Sequence, residues 1–405
     1  MYSKDLLDYI EEHSGDDPQR LLLSTNKNPS LDIRLAVSTI ISRQKMKFKN
    51  PEWSLTKGLV FPNVISTEQS SSAITARYKS QIFSNSVVVD LTGGLGVDSY
   101  FFSRSNKHVY YTEIAQELCN AAKHNFSILG VKNITILNQA TQQGKVSELL
   151  TSIKENHTTP VKVYIDPSRR KDGSRIVGLT QYEPDFLNIK EELFKFTNHI
   201  LVKISPMEDI KAVIRECENI NMAEVISVGN ECKELLLHLT PGCNIPQGQI
   251  IIRAVMFKGD VGKKIFDFTF LQEETTVVTY CSQLDHGYLY EPDSALLKAG
   301  AFKSLSLAYG LDKVAKHTHL YISKVMTEEF PGRKFIIKEV ADFDKSNIRN
   351  LKKRVPKANI STRNFVLSPE QLRKRLGIEE GGDVTIFACT LESGQRKLVI
   401  CNKVP

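Results

Sequence analysis

The residues best equipped for chemistry in this sequence are a glycine-rich turn and the carboxylates around it. Val88-Val89-Asp90-Leu91-Thr92-Gly93-Gly94-Leu95-Gly96-Val97-Asp98 runs from a β-branched stretch, through a turn, into a helical stretch. Glycines there allow a sharp reversal and a close approach of backbone to ligand. Glu113 ends the next strand-like stretch, at the distance of about 20 residues where a carboxylate can take the two hydroxyls of a ribose. A nucleoside-bearing cofactor is therefore expected across the strand tips. A dinucleotide would want a glycine pattern that seats its pyrophosphate on a helix N-terminus. Here Gly94-x-Gly96 leads into Val97-Asp98-Ser99. Carboxylates at Asp90 and Asp98 would repel a pyrophosphate but attract an ammonium or sulfonium group. That favours S-adenosylmethionine (SAM) over NAD.

A second constellation follows the fourth candidate strand, 161–165, in Asp166-Pro167-Ser168-Arg169-Arg170. Strand C-termini of an open α/β sheet face the ligand crevice. The candidate acceptor site is accordingly Asp166, Pro167, Ser168 and Arg169, with Asp166 orienting or deprotonating the acceptor. Arg169 and Arg170 could hold a phosphate or stack on a base. Asp-Pro is equally an ordinary strand-ending turn, and adjacent arginines are often solvated. Lys203 ends the fifth candidate strand, where it either meets a substrate phosphate or caps a helix.

The elements that must hold these groups follow from apolar periodicity. Residues 1–80 read mostly as helix, with stripes at Leu6, Leu7, Tyr9 and Ile10 and at Leu31, Ile33, Leu35, Ala36, Ile40 and Ile41, and a further helix over 68–83. Strands are expected at 87–89, 108–112, 133–137, 161–165, 200–204, 224–228 and 250–256, alternating with helices. That is the pattern of a doubly wound, largely parallel sheet. Asn230-Glu231-Cys232-Lys233-Glu234 reads as the polar start of a helix. The remainder reads as α+β: strands at 265–271, 276–280, 320–323 and 334–340, helices at 291–309 and 347–354, and a closing hairpin of 384–390 with 395–401. Ser368-Pro369-Glu370-Gln371 is a capping-box helix start, and Gly377 ends that helix. The expected division is an N-terminal helical region (1–80), an α/β Rossmann-like domain (81–262), an α+β ferredoxin-like connecting domain (263–333) and a smaller C-terminal domain (334–405).

Asp90-x-Thr92-x-Gly94-x-Gly96 resembles the first motif of class I SAM-dependent methyltransferases, and the resemblance spans roughly residues 65–257. It implies that Thr92, Gly93, Gly94 and Gly96 line the methionine end of SAM and that Asp90 orients its amino group. It further implies that Glu113 binds the ribose and Ile114 packs on the adenine. Where the family often has an acidic residue near the adenine amino group, this chain has Asn138-Gln139-Ala140, and Gln139 can accept that hydrogen bond. Asp166-Pro167 resembles the fourth motif of nucleic-acid methyltransferases. In those acting on amino groups, a second proline and an aromatic that stacks on a flipped base follow. Ser168 and Arg169 stand there instead, closer to the Asp-Pro-Pro-Arg form of some RNA methyltransferases. Together with residues 288–292 and Arg363-Asn364-Phe365, the whole resembles class I methyltransferases carrying a C-terminal THUMP-like domain. THUMP domains grip structured RNA, so this resemblance implies a tRNA or rRNA substrate.

Composition sets the frame. Charged residues at 24% and apolar residues at 41% exclude global disorder. No stretch approaches the ~18 apolar residues of a membrane span. Seven scattered cysteines without a CxxC fit reduced thiols in a cytoplasmic compartment rather than a disulfide framework, and no residues are spaced for a metal site. The formal charge of +7 is local: residues 345–375 carry ten Lys and Arg and one Glu. Among them, with Arg170, the candidate RNA contacts are Lys352, Lys353, Arg354, Lys357, Arg363, Arg373 and Lys374; a solvated basic face is the alternative. The sequence thus favours a cytoplasmic SAM-dependent RNA methyltransferase. A small-molecule or protein methyltransferase, a non-catalytic SAM-binding RNA-binding protein and a nicotinamide enzyme are the rivals.

Overall fold

A computed structural model of the chain describes residues 2–23, 31–169, 178–259 and 262–404. These residues form two compact units, Met1–Asn221 with Leu236–Ile245, and Met222–Leu235 with Pro246–Pro405.

The first unit begins with helices α1 (Lys4–Glu12), α2 (Pro18–Leu23), α3 (Ile33–Lys49), α4 (Pro51–Leu55), α5 (Val64–Gln69) and α6 (Ala73–Ile82). Ser3, Asp32, Asn50, Asn63 and Ser72 cap α1, α3, α4, α5 and α6 respectively, each side chain accepting a backbone N–H of the first turn. The helix expected over 68–83 starts later, as α6, because α5 ends at Gln69 and Ser72 caps the new helix. Trp53, Leu59 and Phe61 join Leu95, Val97, Phe101, Tyr111 and Phe126 in one core, so the helical region is packed onto the glycine turn.

The sheet of this unit contains β1 (Val87–Asp90), β2 (His108–Glu113), β3 (Ile134–Asn138), β4 (Val161–Ile165) and, after the two-residue strands β5 (Ser168–Arg169) and β6 (Tyr182–Glu183), β7 (Ile200–Ile204). Helices α7 (Val97–Ser105), α8 (Gln116–Ile128), α9 (Lys145–Asn156), α10 (Phe186–Leu193) and α11 (Ile210–Glu216) complete it. The strand order is β7-β4-β1-β2-β3, with the pairs β1–β2, β2–β3, β1–β4 and β4–β7 all parallel. The order reverses between β1 and β4, which opens the crevice at their C-terminal ends where such folds bind ligands.

Strands β8 (Ile220–Val228) and β9 (Glu231–Leu239) are joined by Gly229-Asn230, both at positive φ. Residues 231–234 therefore start a strand, not the expected helix. The run Leu235-Leu236-Leu237 lacks helical periodicity, and Asn230 tolerates the left-handed conformation the turn needs.

In the second unit, residues 222–228 pair parallel with β10 (Ile251–Phe257), which pairs antiparallel with β11 (Lys263–Thr269), followed by α12 (Phe270–Thr275). A separate sheet has the order β13-β14-β12-β15-β18-β17-β16. In chain order its parts are β12 (Gly287–Pro292), α13 (Ser294–Ala299), α14 (Lys303–Tyr309), β13 (Asp312–Ala315), β14 (Thr318–Ser323), β15 (Gly332–Asp342), α15 (Lys345–Arg354), β16 (Asn359–Arg363), α16 (Pro369–Leu376), β17 (Val384–Thr390) and β18 (Arg396–Lys403). Two expectations need correction. Residues 276–280 form no strand beyond one bridge at Tyr280. The helix expected over 291–309 is a strand end and two short helices, because Gly300 adopts φ +83° and ends α13. Ser368 and Gln371 do form the capping box, and Gly377 ends α16 in the left-handed conformation.

Candidate functional site

The crevice at β1 and β4 is a cleft of about 560 Å³ in the first unit. Thr92, Gly93, Gly94, Gly96, Asp98, Glu113, Ile114, Gln139, Ala140, Asp166, Ser168 and Arg169 all line it. Twelve expected site residues from four chain segments therefore meet in one place. Pro167 and Asp90 are not part of the lining.

The glycines are dictated by packing and by φ. A Cβ on Gly93 would run into the Tyr111 ring, and one on Gly96 would come within 2.8 Å of Phe126. Gly94 and Gly96 have φ of +53° and +88°. Tyr111 Oη donates to Gly94 O at 2.6 Å, and Gly93 N donates to Thr112 O at 2.8 Å. The turn is thereby fastened to β2. Glu113, at the tip of that strand, accepts Gly94 N–H on Oε2 at 2.9 Å and Ala115 N–H on Oε1 at 2.8 Å. Its carboxylate is pre-oriented against the cleft, with lone pairs left for a diol. Thr141 Oγ1 donates to Leu91 O at 2.6 Å, tying the segment after β3 to the same turn.

Asp90 is fully buried. It accepts Thr92 N–H at 3.1 Å and the Ser99 hydroxyl at 2.6 Å. Burial pushes its carboxyl up to about 7, helped by the charges of Asp98 and Asp166. Asp90 shapes the turn and does not face the cleft. Asp98 does face it, in the first turn of α7. Lys79, on α6 and fully buried, lies 3.0 Å from Asp98 Oδ1 and donates to Ser71 Oγ at 2.7 Å and to Tyr164 Oη at 3.2 Å. Ser71 and Tyr164 donate in turn to Asp98 Oδ2 at 2.8 and 3.0 Å. Burial pushes the Asp98 carboxyl up, but Lys79, Lys203 and the Ser71 hydroxyl outweigh it and hold it below the usual range. It is a fixed anion suited to a cationic ligand group.

At the acceptor end, Thr92 Oγ1 accepts the Asp166 N–H at 2.6 Å, and Lys203 Nζ donates to Asp166 Oδ2 at 2.6 Å. Arg169 binds buried Glu208, which also accepts the Tyr182 hydroxyl at 2.9 Å. Arg169 therefore ties β5 to Glu208 as well as lining the cleft. Arg170 lies outside the described residues.

Sequence reasoning missed Ser71, Lys79, Tyr164 and Glu208, and left Lys203 undecided. A lysine on an amphipathic helix looks solvated until its partner, here in another element, is known. The one available signal was the serine cluster before α6. Ser66, Gln69, Ser70 and Ser71 line the cleft as well.

In the second unit, Lys352, Lys353, Lys357 and Lys374 are exposed and in no ion pair among the described residues. The arginines differ. Arg354 is bidentate to Glu339 at 2.6 and 2.9 Å, Arg373 lies 3.1 Å from Glu380, and Arg363 pairs with buried Glu291. Glu291 also accepts Arg333 Nε at 2.6 Å. No helix among the described residues is long and apolar enough to cross a membrane, and no described group of three His, Cys, Asp or Glu could hold a metal.

Parallel sheet, glycine turn and anionic cleft together define a Rossmann-like methyltransferase fold. A ferredoxin-like domain family matches residues 288–331 and a THUMP domain-like family matches residues 332–403. The crystal structure of a candidate methyltransferase from Porphyromonas gingivalis W83 is 31% identical and covers 100% of both chains with a TM-score of 0.88. The chain belongs to the family of that protein, a methyltransferase fold with C-terminal ferredoxin-like and THUMP-like domains. A Streptococcus mutans candidate methyltransferase solved with S-adenosylhomocysteine (14% identity, 41% of this chain and 95% of that one, TM-score 0.28) and M. capricolum TrmK (14%, 44% and 73%, TM-score 0.30) are partial likenesses that decide nothing at such scores. No curated protein matches the chain.

Proposed function

We propose that this chain is a SAM-dependent methyltransferase acting on a base nitrogen in structured RNA, tRNA or rRNA. The observation that carries the reading is the set of three carboxylates on one cleft, each fixed by different partners: Glu113 by backbone amides, Asp98 by Lys79, Asp166 by Lys203. The cleft residues fit SAM, which when bound supplies a methyl group activated by sulfonium. Glu113 accepts the ribose hydroxyls, Gln139 and Ala140 border the adenine, and Asp98 faces a cationic group. Asp166 accepts the N–H of the acceptor. Even raised by partial burial, a carboxylate is a weak base beside an alkoxide. It cannot ionise a hydroxyl in advance, but it suffices for the proton that a nitrogen sheds as it becomes methylated. This favours a base nitrogen over a ribose hydroxyl.

The THUMP domain-like match and the unpaired lysines of α15 and α16 support an RNA partner. A small-molecule or protein substrate is the second reading. Its support is that Arg354, Arg363 and Arg373 are held in internal ion pairs. Incubation of the full-length protein and tritiated SAM with bulk RNA from a deletion strain tests the choice. Label in one RNA size class supports RNA, and SAM binding without RNA label favours the second reading.

A further inference from the structure

The carboxylate at the acceptor end of the cleft is held by a group the sequence left ambiguous. Lys203 stands on β7, beside β4, and its ammonium lies 2.6 Å from Asp166 Oδ2. The lysine side chain is 12% exposed and the carboxylate 30%, so the contact sits at the edge of the cleft rather than in bulk water. Thr92 Oγ1 fixes the Asp166 backbone from the other side. Oδ1 of Asp166 has no hydrogen-bond partner among the described residues.

The charges around this carboxylate alternate. Lys203 faces it from β7, Lys79 from α6 and Asp98 from α7, and Asp90 lies at the end of β1. Burial raises the Asp166 carboxyl above its usual range, and Lys203 is the largest influence pulling it back, ahead of Lys79. Without that cation the partly buried carboxyl would take up a proton more readily, and once protonated it would present an O–H. An O–H facing an acceptor N–H is a clash of donors.

We propose that Lys203 is a positioning residue for methyl transfer: by clamping Oδ2 it keeps Asp166 ionised and presents Oδ1 to the acceptor N–H. The inference rests on the reading that Asp166 receives the acceptor. In the transfer the nitrogen lone pair forms the N–CH3 bond, and the electron pair of the broken C–S bond remains on sulfur. The proton leaving nitrogen passes to Asp166 Oδ1 and then to water. Lys203 keeps its own proton throughout.

The test uses full-length protein, with K203M, K203Q and K203R beside wild type. The first readout needs no turnover: the carboxyl-13C titration of Asp166 in ligand-free protein, assigned by its loss in D166N. The expected result is a midpoint at higher pH in K203M and in K203Q, which keeps a donor but no charge, and a near-wild-type midpoint in K203R. The second readout is transfer against pH. The acidic limb should move to higher pH in K203M, with at least a ten-fold drop in kcat at neutral pH, an unchanged KM for SAM and recovery in K203R. Unchanged Asp166 titration in both K203M and K203Q overturns the proposal, as does a uniform loss of rate at all pH values. If wild type transfers no methyl group to RNA, the proposed function fails, and the titration alone decides Lys203.

Discussion

Lys79 and Asp98 face each other at 3.0 Å, the lysine fully buried and the carboxylate 11% exposed. Neither a helix dipole nor a surface ion pair explains this: the lysine comes from α6, the carboxylate from α7, and Ser71 and Tyr164 complete the contact. Leaving one partner of a buried pair uncompensated costs about 3–5 kcal/mol. K79M should therefore lose stability of that order in urea unfolding near neutral pH. The pH dependence has a definite sign. The Asp98 carboxyl lies below its usual value, so the pair's contribution is present above the unfolded-state value of about 3.9 and is lost as pH falls through the lower folded one. The gap between wild type and K79M should narrow in that acid range. Equal stability at neutral pH would mean the pair is dispensable.

Glu113 accepts two backbone amides, so replacing one oxygen by NH2 sets a donor against a donor. E113Q should bind SAM about 10–100-fold more weakly by calorimetry, as expected for losing charge-assisted hydrogen bonds of ~1.5–3 kcal/mol. Wild-type affinity in a folded E113Q would remove the ribose role.

How much of this was legible depended on sequence distance. The turn at Gly93-Gly94 and its partner Glu113 were readable because strand, turn and helix are contiguous, and each glycine's need is local. Asp90 read as a ligand because its position at a strand tip is visible, whereas its capture by Ser99 and Thr92 inside the turn is not. Lys79 was invisible, since only the fold brings it to Asp98. In the second unit, the capping box at Ser368 was plain from four residues. The pairing of Arg363 with Glu291, 72 positions away, was not, and it turns an expected RNA contact into an internal one. Gly300 and Asn230 break the chain through positive φ, which apolar periodicity does not show, so one strand end and one whole strand carry a helix-like sequence.

Asp166 lines the cleft without supporting the glycine turn through its side chain. D166N should keep SAM affinity within about two-fold while transfer falls by ~10²-fold or more, the range for a positioned acid–base group. Joint loss of binding and transfer would make Asp166 structural.

Lysines and arginines of the basic segment should separate. Replacing Lys352, Lys353 and Lys374 by alanine should weaken RNA binding and flatten the log–log salt dependence by about 2, at ~0.7–0.9 per phosphate contact. R354A should leave that slope nearly unchanged, because its guanidinium is engaged by Glu339. Identical slopes for both variants would make the lysines a solvated face.

The most direct measurement is nucleoside mass spectrometry of deletion-strain RNA after incubation with purified full-length protein and SAM bearing a trideuterated methyl group. The expected result is a trideuteromethyl group on the base of one nucleoside, absent when D166N replaces wild type. Label confined to ribose or to protein, or no label from a protein that binds SAM, would contradict it.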